Sequence, residues 1–246
     1  MKAGMNNVHA VFFDIGDTLV YDHPPLLERV RSSLDICGFP YRADDLTAAF
    51  RAAENYAMSE YLKGVPFDHP DVLAASSLII LDELGIRSLD REQLLLLHDS
   101  FTAIEYRRVV HEGARGLLTE LARRGFRIGA ISDWEPTLPA LLVELDIAHF
   151  FEAVAVSAIV GVTKPNPALF RAALDQMSQS SGQPIAPDNS LHIGDYYELD
   201  VAGARSVGMH ALLFDWKMRT PRADCPRVTS FDQMADMLLA LPSPAG

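Results

Sequence analysis

The feature that most constrains the fold is a series of short apolar runs that stop abruptly at polar residues. The first run, residues 8–13, is followed by Asp14, Gly16 and Asp17. A continuous apolar run of this length, bounded by polar residues, predicts a strand that is buried on both faces. Similar runs recur at residues 126–131, 153–156, 191–193 and 211–214. The chain therefore repeats one kind of buried strand along most of its length.

Helical patterns lie between the later runs, at residues 114–124 and 167–177. Strands that alternate with helices predict an α/β fold whose parallel sheet is covered on both faces. Ligands of such sheets bind beyond the carboxyl ends of the strands. The polar residues that follow the apolar runs are therefore the first candidates for function.

The stretch from residue 21 to residue 111 has a different pattern. Helical periodicity covers residues 44–62, 72–84 and 90–106, with Ser88 or Asp90 as the cap of the last helix, and we find no convincing strand. A direct crossover needs only about a dozen residues, so we predict an inserted helical cap at 21–111 and a core made of 1–20 and 112–246. The alternative is that these helices simply cover the sheet.

Composition restricts the partners. The chain carries 33 acidic and 21 basic residues and a net charge of −12, without a basic cluster, so binding to nucleic acid or to an anionic membrane is not expected.

The expected location follows from the apolar stretches and the cysteines. Acidic residues interrupt the longest apolar stretch, residues 138–162, which argues against a membrane span. Residues 1–10 lack the apolar core of a signal peptide. Cys37 and Cys225 fit reduced thiols in a cytoplasmic protein, although one disulfide remains possible. The oligomeric state is left open.

Four separated segments carry the remaining chemical signal. They are Phe13-Asp14-Ile15-Gly16-Asp17-Thr18-Leu19, Ile131-Ser132-Asp133, Lys164-Pro165, and Gly194-Asp195 followed by Asp200. In order and spacing they resemble the four motifs of the haloacid dehalogenase (HAD) superfamily of hydrolases. The resemblance covers nearly the whole predicted core and leaves out the predicted cap.

The resemblance implies a Rossmann-like three-layer core that hydrolyses a small phosphate monoester with the help of Mg²⁺. Asp14 would be the nucleophile, since a carboxylate can attack phosphorus and form an aspartyl-phosphate that water later hydrolyses. Asp195, Asp14 and the main-chain carbonyl of Gly16 would supply the hard oxygen ligands that magnesium prefers. Asp200 would be a further ligand or would support the ligands.

Three more residues are placed at the substrate by the same resemblance. Lys164 adds a positive charge near the nucleophile and the phosphate, and the Ser132 hydroxyl donates a hydrogen bond to a phosphoryl oxygen. Asp133 stands where the family commonly has Asn and brings an extra negative charge. The cap would close over the site, exclude water and select the phosphorylated metabolite.

One position departs from the family pattern. Phosphatases of this family usually carry a second Asp two residues after the nucleophile, as the general acid, and here that residue is Gly16. Losing a general acid costs about 10²–10⁴ in rate. We interpret Asp17 as a turn residue, because neighbouring side chains of an extended backbone point in opposite directions. Asp22 and His23 are ordinary loop residues in this interpretation, although either is an alternative acid.

Several explanations of the missing acid stay open at this point. Asp17 is able to replace it after a local change of the backbone, or the natural substrate has a good leaving group, such as an acyl phosphate or a phenol. A third possibility is a protein that binds a phosphometabolite or a partner without efficient catalysis. Haloacid dehalogenation, which needs no metal, is disfavoured because Asp195 and Asp200 are retained.

Overall fold

The computed structural model describes residue 5 and residues 7–244. Residues 1–4, on which part of the signal-peptide prediction rests, lie outside the described residues. The strands are β1 Ala10–Phe13, β2 Val20–His23, β3 Arg107–Val110, β4 Arg127–Ser132, β5 Ala153–Val156, β6 Ser190–Gly194, β7 His210–Phe214 and β8 Arg227–Val228. The helices are α1 Leu26–Ile36, α2 Ala43–Tyr61, α3 Pro70–Glu83, α4 Arg91–Thr102, α5 Ala114–Arg123, α6 Leu138–Glu144, α7 Ser157–Val160, α8 Pro167–Ser181, α9 Ala202–Ser206 and α10 Phe231–Leu239.

The described chain divides into two compact units. Among the described residues, unit 1 contains those up to residue 21 and those from residue 108 onward, and unit 2 contains residues 22–107. The chain passes between them through β2 and β3, which pair as a two-stranded sheet. No helix of the described part of the chain is long and apolar enough to cross a membrane. Both cysteines are free thiols.

Unit 1 is built on a six-stranded sheet with the order β5-β4-β1-β6-β7-β8. Every strand pair in it is parallel, as in the pairs β1–β4 and β1–β6. All five strands predicted from the apolar runs are present, and the predicted α/β fold with a parallel sheet is confirmed. The sixth strand, β8, was not predicted. Since β1 lies between β4 and β6, the residues that follow these three strands meet at one edge.

Alternation along the strands separates the apolar residues into two layers. In β1, Val11 and Phe13 face the helices α5, α6 and α10, while Ala10 and Phe12 face α8 and α9. Each layer is closed by apolar residues of the helices on its own side. The three-layer arrangement predicted from the sequence is therefore confirmed.

Unit 2 contains α1 to α4 around its own core, which includes Leu34 of α1, Leu46 of α2 and Leu81 of α3. The Asp90 carboxylate caps α4, accepting from the Gln93 amide at 2.8 Å while the Asp90 amide donates to the Gln93 side chain at 3.0 Å. Of the two caps predicted for this helix, Asp90 is the one observed.

Two expectations for this stretch were wrong. The helix predicted over residues 90–106 ends at Thr102, and the chain then enters β3. The expectation that residues 21–110 contain no strand also fails, because β2 and β3 occupy both ends of that stretch. Each of these strands has only four residues and is partly exposed, so neither shows the apolar run or the alternation that reveals a strand in a sequence.

Candidate active site

The predicted nucleophile lies at the carboxyl edge of the central strand. Asp14 follows β1 directly, and its amide donates to the Ile193 carbonyl of β6 at 2.8 Å, which continues the ladder one residue beyond the strand. Ser132 ends β4, and Asp195 follows β6. Because β4 and β6 flank β1, the sheet brings these side chains together. All three are buried.

Lys164 reaches the same place from the loop that precedes α8. Its side chain is only 4% exposed, and the ammonium nitrogen lies 2.7 Å from Asp14 Oδ1 and 2.7 Å from Asp200 Oδ1. The Lys164 amide donates to Asp133 Oδ1 at 3.0 Å, so the predicted substrate residue Asp133 anchors this loop. Burial alone lowers the pKa of Lys164, but the neighbouring carboxylates Asp14 and Asp200 outweigh it and raise this pKa well above its ordinary value.

Two hydroxyl groups complete the surroundings of Asp14. Ser132 Oγ donates to Oδ1 at 3.1 Å, and Thr18 Oγ1 donates to Oδ2 at 3.4 Å. Burial raises the pKa of Asp14 to about 6, although the Lys164 ammonium acts in the opposite direction. The structure therefore places the predicted catalytic residues Ser132 and Lys164 each in direct contact with Asp14.

Asp200 lies in a socket formed by residues of β6 and the turn after it. Oδ1 lies 2.9 Å from His192 Nε2, and Oδ2 accepts from the Tyr196 amide at 3.0 Å. A Cβ on Gly194 would lie 2.1 Å from Asp200 Cγ, so only glycine leaves room for this carboxylate. Burial opposes ionisation, but the contacts with Lys164 and His192 hold the pKa of Asp200 below its ordinary value. With both oxygens occupied, Asp200 fits the supporting role better than that of a direct metal ligand.

Three buried carboxylates form the candidate metal centre. One oxygen each from Asp14, Asp195 and Asp200 lies within 4.8 Å of the others. Asp195 Oδ2 also accepts from Arg219 Nη1 at 2.7 Å. Burial, and after it the charge of Asp17, raises the pKa of Asp195 to about 8. Clustered carboxylate oxygens that are buried and only partly neutralised are a donor set that fits a hard divalent cation such as Mg²⁺.

The position of the missing acid is covered by an aromatic ring. A Cβ added to Gly16 would lie 3.3 Å from Trp134 Cζ3. Asp17 adopts a left-handed conformation with φ of 56°, and its amide donates to the Val20 carbonyl at 2.7 Å. Asp17 Oδ2 accepts from Lys217 Nζ at 2.5 Å. Asp17 is therefore a residue of a tight turn, and Lys217 holds its carboxylate.

Three polar residues at or beside the site were not predicted from the sequence. His192 lies inside a predicted strand, and a polar residue in an otherwise apolar run is the signal that could have identified it. Lys217 and Arg219 belong to the loop between β7 and β8, which has no periodic pattern to place it. That loop is held by the buried Asp215, which accepts from the Arg219 amide at 2.6 Å and from Arg227 Nε at 2.8 Å.

Comparison with known proteins agrees with this geometry. The family model of the haloacid dehalogenase-like hydrolases matches residues 8–208. The match covers most of the chain, and the chain belongs to the haloacid dehalogenase-like hydrolase family. The family predicted from the four motifs is thus confirmed.

Relatives with curated names include two phosphatases. The glyceraldehyde 3-phosphate phosphatase of Pyrococcus furiosus is 30% identical over 225 residues, covering 86% of this chain and 82% of the relative. The phosphoserine phosphatase of Thermus thermophilus is 28% identical over 228 residues, covering 85% and 89%. Among solved structures, the magnesium-bound HAD-hydrolase YfnB of Bacillus subtilis aligns with a TM-score of 0.62 at 17% identity, covering 94% of this chain and 98% of that one. This structural likeness supports the fold.

Proposed function

We propose that the protein is an Mg²⁺-dependent phosphatase that hydrolyses small phosphate monoesters through an aspartyl-phosphate on Asp14. The observation that carries the proposal is the contact of Lys164 with Asp14, which is one of three clustered carboxylates at one edge of the sheet. A nucleophilic carboxylate needs a nearby cation to accept an approaching phosphate dianion. The matched phosphatases support the same reaction class.

In the first step, Asp14 forms a bond to phosphorus while the bond from phosphorus to the leaving oxygen breaks. The leaving oxygen keeps the electron pair of that bond. Water then attacks the acyl phosphate, which releases inorganic phosphate and regenerates the Asp14 carboxylate. Lys164 and the Ser132 hydroxyl stabilise charge on the phosphoryl oxygens. A magnesium ion held by Asp14, the Gly16 carbonyl and Asp195 would neutralise further charge on the transferred group.

We propose that unit 2 acts as the cap that selects the substrate. Every residue of the candidate site lies in unit 1, which leaves the helices of residues 22–107 free to vary with the substrate. The names of the matched phosphatases indicate a small phosphorylated metabolite. Replacing unit 2 with that of a relative should change substrate preference, while the dependence on Asp14 and Mg²⁺ stays the same. Unchanged preference in the chimaera would contradict this assignment.

The test of the phosphatase proposal is a screen of phosphorylated metabolites with and without added Mg²⁺. Turnover should require Mg²⁺ and should be abolished by Asp14→Asn, whereas Asp236→Asn, at an exposed position of α10, should leave it unchanged. Turnover that survives Asp14→Asn would overturn the nucleophile. Saturable binding of a phosphometabolite without any turnover would favour the binding protein considered above.

Location in the cytoplasm is part of the same proposal. The two free thiols support it, because disulfides are rare in reducing compartments. Fractionation of the native host, followed by immunodetection, tests it, and recovery outside the cytoplasmic fraction would contradict it.

A further inference from the structure

We propose that His192 is a positioning residue that holds Asp200 in the orientation in which Asp200 fixes Lys164 against the nucleophile. The inference rests on the proposed function and deepens it. It concerns a residue outside the four motifs, within the strand that precedes the last of them.

His192 is an exception in the apolar layer that it faces. It is fully buried in β6, level with Phe12 of β1 and Ala211 of β7. The Phe170 ring of α8 meets the imidazole edge-on, with centroids 5.3 Å apart and an angle of 89°. Burial of an imidazole among apolar side chains is costly unless it gains a hydrogen bond. At this position the sheet would accept an aliphatic residue without that cost.

The compensating contact is the bond of 2.9 Å between His192 Nε2 and Asp200 Oδ1. The same oxygen accepts from Lys164 Nζ at 2.7 Å. A carboxylate oxygen that already faces an ammonium group is an acceptor, so the imidazole has to donate from Nε2. Among the described residues, His192 Nδ1 has no hydrogen-bond partner, which fits an unprotonated nitrogen with a lone pair. The contacts therefore select one tautomer of His192.

The position of Lys164 depends on the orientation of Asp200. Asp200 Oδ2 is fixed by a single amide, that of Tyr196, and Oδ1 is shared between His192 and Lys164. Without the imidazole, the carboxylate loses one of its two fixed donors and gains space on that side. A displacement of a catalytic group by about 1 Å costs about 10²-fold in rate. Removal of the Nε2 donor should therefore reduce kcat without removing any group that touches the substrate.

Two variants separate positioning from packing. His192→Leu fills the space without a donor, and His192→Gln offers an amide donor at a similar reach. We expect His192→Leu to lower kcat up to about 10²-fold, with KM and the Mg²⁺ affinity within about two-fold of wild type. His192→Gln should recover much of the loss. The control is His210→Leu in the neighbouring strand β7. It removes the hydrogen bond of 3.0 Å between the His210 ring and the Asp188 carbonyl, and it should leave kcat unchanged.

Wild-type kcat in folded His192→Leu, or equal loss in the Leu and Gln variants, would overturn the proposal. A failure of the proposed function would be distinguishable from this result. In that case the wild type would show no Mg²⁺-dependent turnover, or turnover would survive Asp14→Asn. The tautomer provides a readout that needs neither turnover nor a folded variant. Nitrogen-15 NMR of the wild type should show His192 protonated at Nε2 alone, and protonation at Nδ1 alone would also overturn the proposal.

Discussion

Gly16→Asp offers the sharpest test of how the site works without the usual general acid. Gly16 is not among the glycines with positive φ, so its backbone accepts an L side chain without strain. The obstacle is Trp134, since the new Cβ would lie 3.3 Å from Cζ3 and the ring must move by a few tenths of an ångström. Trp134 is only partly buried, and the Arg108 guanidinium lies 4.7 Å from its ring centroid. We expect the ring to yield at a modest cost in stability.

The expected gain depends on the leaving group. Without a proton donor, the leaving oxygen departs with most of its negative charge, so the wild-type rate should fall steeply as the pKa of the leaving group rises. An acid at position 16 should restore part of the rate enhancement of about 10²–10⁴ that general acid catalysis supplies, chiefly for alkyl and sugar phosphates. Aryl and acyl phosphates, whose leaving groups need little protonation, should gain much less.

The assay is kcat/KM for a series of phosphate monoesters, measured in Gly16→Asp and in the matched Gly16→Asn. The Asn variant imposes nearly the same contact with Trp134 but cannot donate a carboxyl proton. Its circular dichroism and Mg²⁺ affinity show whether the fold and the metal centre survive. Repetition in a Trp134→Leu background separates steric obstruction from chemistry. Equal rates in the folded Asp and Asn variants, with Trp134 removed, would refute the reasoning.

Further outcomes concern Asp17, Lys164 and the metal centre. The rate of the wild type should fall steeply as the pKa of the leaving group rises, and Asp17→Asn should show the same steep dependence. If the wild type shows a shallow dependence that becomes steep in Asp17→Asn, Asp17 is the general acid. Lys164→Met should lower kcat by about 10²–10³, with the exposed Lys63→Met as control. The raised pKa values of Asp14 (about 6) and Asp195 (about 8) mean that the folded, metal-free protein binds protons more tightly than the unfolded chain. The melting temperature in EDTA should therefore fall as pH rises through about 6 and about 8, and a flat profile there would contradict these values. Saturating Mg²⁺, at about 100 times its Kd, should stabilise the wild type by about 2.7 kcal/mol and Asp195→Ala by much less, whereas equal stabilisation would exclude Asp195 as a ligand.

Much of the core was predictable because its strands are buried on both faces. A strand in that position needs apolar residues at successive positions, so the run that precedes Asp14 and the run that precedes Asp195 are both visible in the sequence. Parallel strands end at a common edge, which is why Asp14, Ser132 and Asp195, far apart in sequence, were expected at one edge of the sheet. Lys164 does not directly follow a strand, and the family resemblance placed it beside Asp14, which it contacts at 2.7 Å.

The parts that were not predictable lack a repeating pattern. Strand β8 has two residues, and the loop that carries Arg219 is shaped by the single buried carboxylate of Asp215. The contact between Arg219 and Asp195 joins residues brought together by that loop, and no local preference encodes it. His192 was missed for a different reason, since a polar residue in an apolar run is a visible signal that does not by itself identify the partner of that residue.

The charges in direct contact at the site do not balance. Asp14, Asp195 and Asp200 contribute three negative charges, while Lys164 and Arg219 contribute two positive ones. A buried charge without compensation is costly, and the raised pKa values of Asp14 and Asp195 are one expression of that cost. A proton or a divalent cation relieves the same imbalance, so the two compete for the site. Since the ion pairs formed by Lys164 and Arg219 are already in place, the remaining negative charge is what would attract Mg²⁺ to this edge of the sheet.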